Sequence, residues 1–252
     1  MDLQSLPIWA FILIGFVAQM IDGALGMAYG VSSTTILNGL GVPQKFASAA
    51  VHAAEVATTG ISGFSHWRMG NVHADLARKL VIPGVLGGVI GAYLLSNLDT
   101  PWLKPVVSVY LAIMGLIVIY RAFRSKSPRH VRSWLIPLGF GGGFMDALGG
   151  GGWGPVVTST LMARGNEPRF TVGSVNITEF FVTLAQSVTF FLALGSGEFL
   201  RYGNIILGLL IGGALAAPLA AFAARRLPRK PFMLLVGSLI VFLNVRTLIL
   251  TF

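Results

Sequence analysis

Residues 22–59 are written a second time at 146–183. Asp22-x3-Gly26-x3-Gly30-x3-Thr34 returns as Asp146-x3-Gly150-x3-Gly154-x3-Thr158. Without a gap, Leu37, Gly41, Phe46, Val51, Glu55 and Thr59 then return as Leu161, Gly165, Phe170, Val175, Glu179 and Thr183. The offset is 124 positions throughout, from Asp22 to Asp146 and from Thr59 to Thr183. A doubled unit with acids embedded in apolar, glycine-rich sequence is the pattern of a membrane transporter built from two repeats. The expected organisation is one integral membrane domain, with residues 1–125 as the first repeat and 126–252 as the second.

Only 11% of the 252 residues are charged, and the mean hydropathy is +0.77. A water-soluble domain carries about a quarter charged residues, so this chain cannot cover a water-facing surface. The net charge of +9 does not indicate nucleic acid, because the basic residues sit in short loops between apolar blocks. Cysteine is absent, which removes disulfides and thiolate metal sites. The first residues carry Asp2 and no Lys or Arg, so no cleaved signal peptide is expected. No Walker A, HExxH or GxSxG motif is present. No cofactor and no metal are expected, and the chain is not read as an enzyme.

Eight apolar blocks emerge at 8–40, 46–64, 80–98, 106–123, 134–163, 170–194, 205–224 and 232–252. A span needs about 20 residues. The first and fifth blocks exceed that, and each has glycines at its middle: Gly23, Gly26 and Gly30 in one, 141–143 and 149–152 in the other. Glycine disfavours a continuous helix, so both blocks are expected to be broken or re-entrant. Basic clusters fall at 121–132, at 225–230, and at Arg68, Arg78 and Lys79. They share one side of the membrane only if blocks one and five turn back on themselves. Three crossings per half then invert the second repeat against the first. The fold class expected is an all-α membrane protein of two inverted repeats, each a broken or re-entrant segment plus three transmembrane helices.

In block two, Ser48, His52, Glu55, Thr59 and Ser62 share one helix face. In block six, Asn176, Glu179, Thr183 and Gln186 stand at the positions of His52, Glu55, Thr59 and Ser62. Polar faces in hydrocarbon point at a cavity or at polar partners, here at the bilayer midplane between the repeats. Glu55 and Glu179 either couple transport to protons or accept hydrogen bonds from the open backbone of the broken segments. Each break resumes as a helix N-terminus with free N–H groups, a ready anion site. The candidate restarts, 27–35 and 151–159, are rich in hydroxyls. The expected substrate-binding set is Gly26, Gly30, Ser33, Thr34, Ser48, His52, Thr59, Gly150, Gly151, Gly154, Thr158, Asn176, Thr183 and Gln186. Asp22 and Asp146 precede the breaks. Beside an anion site they must be protonated or must cap backbone N–H groups, so with Glu55 and Glu179 they are read as coupling or site-organising residues. Gly84-x3-Gly88 and Gly208-x3-Gly212 read as helix-packing faces, and Trp9, Trp67, Trp102 and Trp134 as interfacial anchors.

The 21–27 segment Ile-Asp-Gly-Ala-Leu-Gly-Met, its echo Met-Asp-Ala-Leu-Gly-Gly-Gly at 145–151, and the 84–88 run Gly-Val-Leu-Gly-Gly resemble the TauE/SafE family of sulfite exporters. The resemblance covers nearly the whole chain. It implies a multi-pass bacterial inner-membrane protein that exports sulfite, sulfoacetate or another small organosulfonate. The expected partners are the anionic substrate and the bilayer, with a homodimer as the default assembly. Two other readings stay open: a passive anion channel and a membrane-embedded lipid pyrophosphate phosphatase.

Overall fold

A computed structural model describes residues 7–25, 27–98, 102–123, 134–164, 166–223 and 229–250. Among them there is no strand. The first half contains α1 (Ile8–Leu25), α2 (Tyr29–Gly39), α3 (Gln44–Arg68), α4 (Ala74–Asn97) and α5 (Leu103–Ala122). The second contains α6 (Leu135–Gly149), a π turn (Gly154–Thr158) running into α7 (Ser159–Ala163), α8 (Pro168–Leu194), α9 (Ser196–Arg201), α10 (Gly203–Ala223) and α11 (Arg229–Ile249). Displaced by 124, α1 to α5 fall on α6, the π turn with α7, α8, α10 and α11 in order. At the same offset α9 falls on 72–77, where α4 begins, so the second half divides between α9 and α10 what the first half runs as one helix. Gly195, with φ of 82°, ends α8 just before α9.

Both overlong blocks are broken where their glycines lie, between Leu25 and Tyr29 and between Gly149 and Gly154. At the second break Gly150 and Gly151 take φ of 66° and 145°. At the first, Ala28 holds φ 93°, a conformation costly for a residue with a Cβ. Pro155 sits in the first turn of the restart, where its missing N–H leaves no donor unmatched.

Helix senses follow from the residues that touch. Gly60 meets Phe180 and Gly63 meets Ile177, so α3 and α8 run in opposite directions. Gly115 meets Gly237 and Val241 while Gly237 also meets Ile119, so α5 and α11 do too. Gly208 meets Phe11 and Gly212 meets Phe16, which makes α1 and α10 parallel. Gly139 meets Leu80 and Gly91 meets Ala147, which makes α4 and α6 parallel. The first helix of each half therefore packs along the fourth principal segment of the other. α2 runs back against α3, with Gly30 beside Glu55 and Asn38 bonded to Gln44. α3 runs with α10, Phe46 stacking on Tyr202 and Thr58 lying against Gly213.

Of the two small-residue faces, Gly208 and Gly212 lie against α1, while Gly84 and Gly88 turn toward Trp153 and α8, with Gly143 of α6 against their backbone. A Cβ on Gly84 or Gly88 would press on Trp153 and Gln186, and one on Gly143 or Gly212 would run into the facing backbone. Among the described residues, three helices are long and apolar enough to cross a membrane: Ala74–Asn97, Pro105–Ala122 and Phe170–Leu194. Outward side chains such as Leu13, Ile82, Ile113, Leu192 and Phe242 are exposed and apolar, the surface lipid requires. Trp9, Trp67, Trp102 and Trp134 are exposed at helix ends, as interfacial anchors are. Of the basic clusters, Arg124, Lys126, Arg129, Arg132, Arg225 and Arg226 lie outside the described residues.

Gly143→Val and Gly212→Val are expected to lower the thermal midpoint in detergent, each through roughly 1–3 kcal/mol of overpacking or more. Gly141→Ala, with nothing within 4 Å of its would-be Cβ, is expected to leave the midpoint nearly unchanged.

Candidate functional site

The two breaks meet. A Cβ built on Gly30 would lie 2.6 Å from Cα of Gly151, and one on Gly154 would lie 3.1 Å from Cβ of Met27. These are the same contact made twice, since Gly30 and Gly154 correspond, as do Met27 and Gly151. Each restart is capped by the acid that precedes it. The Tyr29 N–H donates to Asp22 Oδ1 at 3.4 Å, and the Trp153 N–H donates to Asp146 Oδ1 at 2.8 Å. Glu55 accepts from the Gly30 backbone N–H. The protein's own carboxylates thus occupy positions that a bare helix N-terminus would offer to an anion.

A small cavity of about 30 Å³ lies where the breaks touch. That is room for one or two waters, so a multi-atom guest enters only if the helices part. Both copies of each repeated acid line it: Asp22 with Asp146, and Glu55 with Glu179. Gly30, Gly154, Thr59 and Asn176 of the expected set also line it. The cavity extends along α3 from Glu55 to Ser62, toward the Arg68 end, and does not reach His52.

The remaining described residues of the expected set are buried away from the cavity. Ser48 donates to the Ala147 carbonyl at 2.6 Å, and Thr34 donates to the Gly150 carbonyl. Both satisfy carbonyls at the end of α6, where the helix offers no partner. Gln186 Nε2 donates to the Gly143 carbonyl and to Asp146 Oδ2, each at 3.1 Å. His52 faces Asp146 Oδ2 through Nε2 at 3.1 Å and the Ser48 carbonyl through Nδ1 at 2.7 Å. Thr183 bonds back to the Glu179 carbonyl at 2.9 Å, as Thr59 does to that of Glu55 at 2.6 Å. Ser33 and Thr158 are buried in the restarts, and Gly150 and Gly151 form the turn between α6 and the π turn. Gly26 lies outside the described residues.

The halves differ around their two aspartates. Asp146 is enclosed by His52, Gln186 and the Trp153 N–H. The matching residues around Asp22 are Asn176 and Ser62, which are shorter and bond to each other at 2.7 Å. The shorter pair leaves the cavity, and the longer pair fills the equivalent space.

Gln19, Tyr29, Thr58 and Met27 also line the cavity without having been expected there. Gln19 lies three residues before Asp22, almost one helix turn, and that spacing was a readable signal. Arg121 reaches the Met27 sulfur at 2.9 Å. In the sequence it counts among loop charges, and only the fold brings it behind the cavity.

A polar cavity between duplicated broken helices, inside an apolar shell, is the site of a membrane transport protein. The sequence profile of the family described as "Sulfite exporter TauE/SafE" matches residues 11–247, and the chain belongs to that family. It is similar to "Probable membrane transporter protein YtnM" of Bacillus subtilis (strain 168), at 42% identity over 255 aligned positions covering 98% of this chain and 84% of the relative. Both names are those of transporters.

Asp146→Ala leaves the buried His52 side chain and the Trp153 N–H without their acceptor. It is expected to cost about 3–5 kcal/mol. Asp22→Ala, which removes one long cap bond, is expected to cost about 1 kcal/mol. Thermal or denaturant melts of the two purified variants compare them.

Proposed function

We propose that this protein is a secondary transporter that moves a small sulfur-containing anion (sulfite, sulfoacetate or another organosulfonate) outward across the bacterial inner (cell) membrane. It works as a multi-pass protein of two inverted repeats, 1–125 and 126–252. The observation that carries this reading is the cavity at the meeting of two opposed helix breaks, lined by both copies of Asp22/Asp146 and Glu55/Glu179. Further support comes from the opposite senses of α3 and α8 and of α5 and α11, and from membership of the sulfite exporter family. With α1 and α2 as a hairpin that enters and returns, the 68–79, 121–132 and 225–230 basic segments share the cytoplasmic face and both chain ends lie opposite.

In this arrangement the cavity leans toward the Arg68 end, the cytoplasmic end. The His52–Asp146–Gln186 cluster closes the other side. Alternating access then exchanges roles between the halves: Asp146 releases His52 and Gln186 while Asn176 and Ser62 close on Asp22. A sealed cluster on one side favours a carrier over a passive channel. Glu55 and Glu179 take up and release protons as the anion passes.

Proteoliposome flux of sulfite, sulfoacetate, taurine and sulfate, with and without a pH gradient, tests the transport. Glu55→Gln and Glu179→Gln are expected to impair proton-driven flux while leaving the protein folded. Full activity with unaltered pH dependence in both variants would reject the coupling role. The natural absence of cysteine allows the exchange to be read by single-cysteine labelling. Ser62→Cys is expected to react with an impermeant thiol reagent mainly from the cytoplasmic side. Exchanging the two gate residues (His52→Asn with Asn176→His) is expected to shift that sidedness about tenfold, the worth of one hydrogen bond to a charged group.

A further inference from the structure

Donors and acceptors around the cavity do not balance. Glu55 is only 4% exposed, and its Oε2 has no hydrogen-bond partner among the described residues. Gln19 is 8% exposed, and its Oε1 has none either. Both residues line the cavity. A buried acceptor is costly to leave unpaired, so two of them at one small space are met by something that donates: water while the cavity is closed, and a donating guest once the helices part. Several neighbouring donors are spent elsewhere. Thr58 and Thr59 donate to the Glu55 carbonyl, Tyr29 donates to the Leu209 carbonyl, and Asn176 donates to Ser62. Asp22, Asp146 and Glu179 add further acceptors. Among the described residues no Lys, Arg or His lines the cavity, and the Arg121 contact is with the Met27 sulfur. A plain anion cradle would present the reverse balance.

We infer that the site takes its oxyanion in a proton-bearing form, with Glu55 and Gln19 accepting hydrogen bonds from the guest, so that hydrogensulfite is admitted and a fully ionised dianion such as sulfate is refused. The inference rests on the transport reading above for its choice of guest. In its proton-released state the free Glu55 oxygen accepts a hydrogen bond from an O–H. Toward an unprotonated oxyanion it sets lone pair against lone pair. A site built to bond a particular donor rejects the analogue that lacks it strongly, because its own group is then left unpaired. The groups facing Glu55 do not offset this. They are Asp22 from α1, Tyr29 from α2, Asp146 from α6 and Glu179 from α8. α10 places no titratable group on the cavity, and His52, one turn away on α3, is engaged by Asp146.

The test is thermal unfolding of the full-length protein in detergent, titrated with sulfite, sulfate and methanesulfonate. Sulfite is used on the acid side of its second ionisation, where it is hydrogensulfite; methanesulfonate is a monoanion without an O–H. Sulfite is expected to half-saturate at a concentration at least about tenfold below either of the others, one charged hydrogen bond's worth. Glu55→Gln puts an N–H donor where an acceptor stood and should narrow the sulfite-to-sulfate gap about tenfold. Gln19→Leu removes the other acceptor at constant charge and should narrow it less; it carries the test if Glu55→Gln does not fold. Equal binding of the three anions by the wild type, or binding of none, overturns the inference, as does an unchanged ratio in a folded variant. Flux separates the two readings: sulfite-selective binding with no movement of sulfite across vesicles leaves the selectivity standing and removes the transport function.

Discussion

The structure depends on pairing the backbone at two interrupted helices. Within an apolar protein, N–H and C=O groups freed by a helix break have no water to turn to, and each left unpaired costs free energy. This chain meets the requirement twice with the same residue: Asp22 caps the N–H of Tyr29 and Asp146 caps that of Trp153. The carbonyls at the end of α6 are covered from α2 and α3 by Thr34, Gln44 and Ser48, and Tyr110 of α5 reaches that of Gly151. The second broken segment is thus held by helices of the first half. The breaks can touch only because Gly30 and Gly151 present no side chains to each other.

Near-symmetry with a local difference in side-chain length makes the site asymmetric. Gln186 and His52 are long enough to reach Asp146, while Ser62 and Asn176 bond each other beside Asp22. Packing does the rest: a filled side has no room for water, and the side with shorter residues keeps the cavity. A site where the two halves meet, closed on one side and not on the other, is the asymmetry from which the proposed alternating access would start.

Much of the fold was legible because it rests on local rules. Over-long apolar blocks with central glycines mark the breaks, small residues four apart mark close helix contacts, and one offset relates the halves. The division between α9 and α10 was not legible: at the common offset α9 falls on the start of α4, which runs on unbroken in the first half. For the site, sequence spacing found Asp22, Glu55, Thr59, Asn176, Glu179 and the aspartate of the second repeat. It could not tell a hydroxyl that lines a cavity from one that caps a carbonyl. Ser48 and Thr59 lie on the same face of α3, yet one serves the end of α6 and the other stands at the cavity wall. That division is made by where α6 stops, which no periodicity on α3 reports.

Taken alone, the sequence determined the membrane environment, the doubling and the places where helices must break. Those follow from composition and from the intrinsic preferences of glycine, proline and buried carboxylates. Only the tertiary structure decided that Asp22 and Asp146 cap the two restarts while all four acids line one cavity, and that the cavity walls are rich in acceptors. Those outcomes turn on distances of a few ångströms between segments more than a hundred residues apart in the chain.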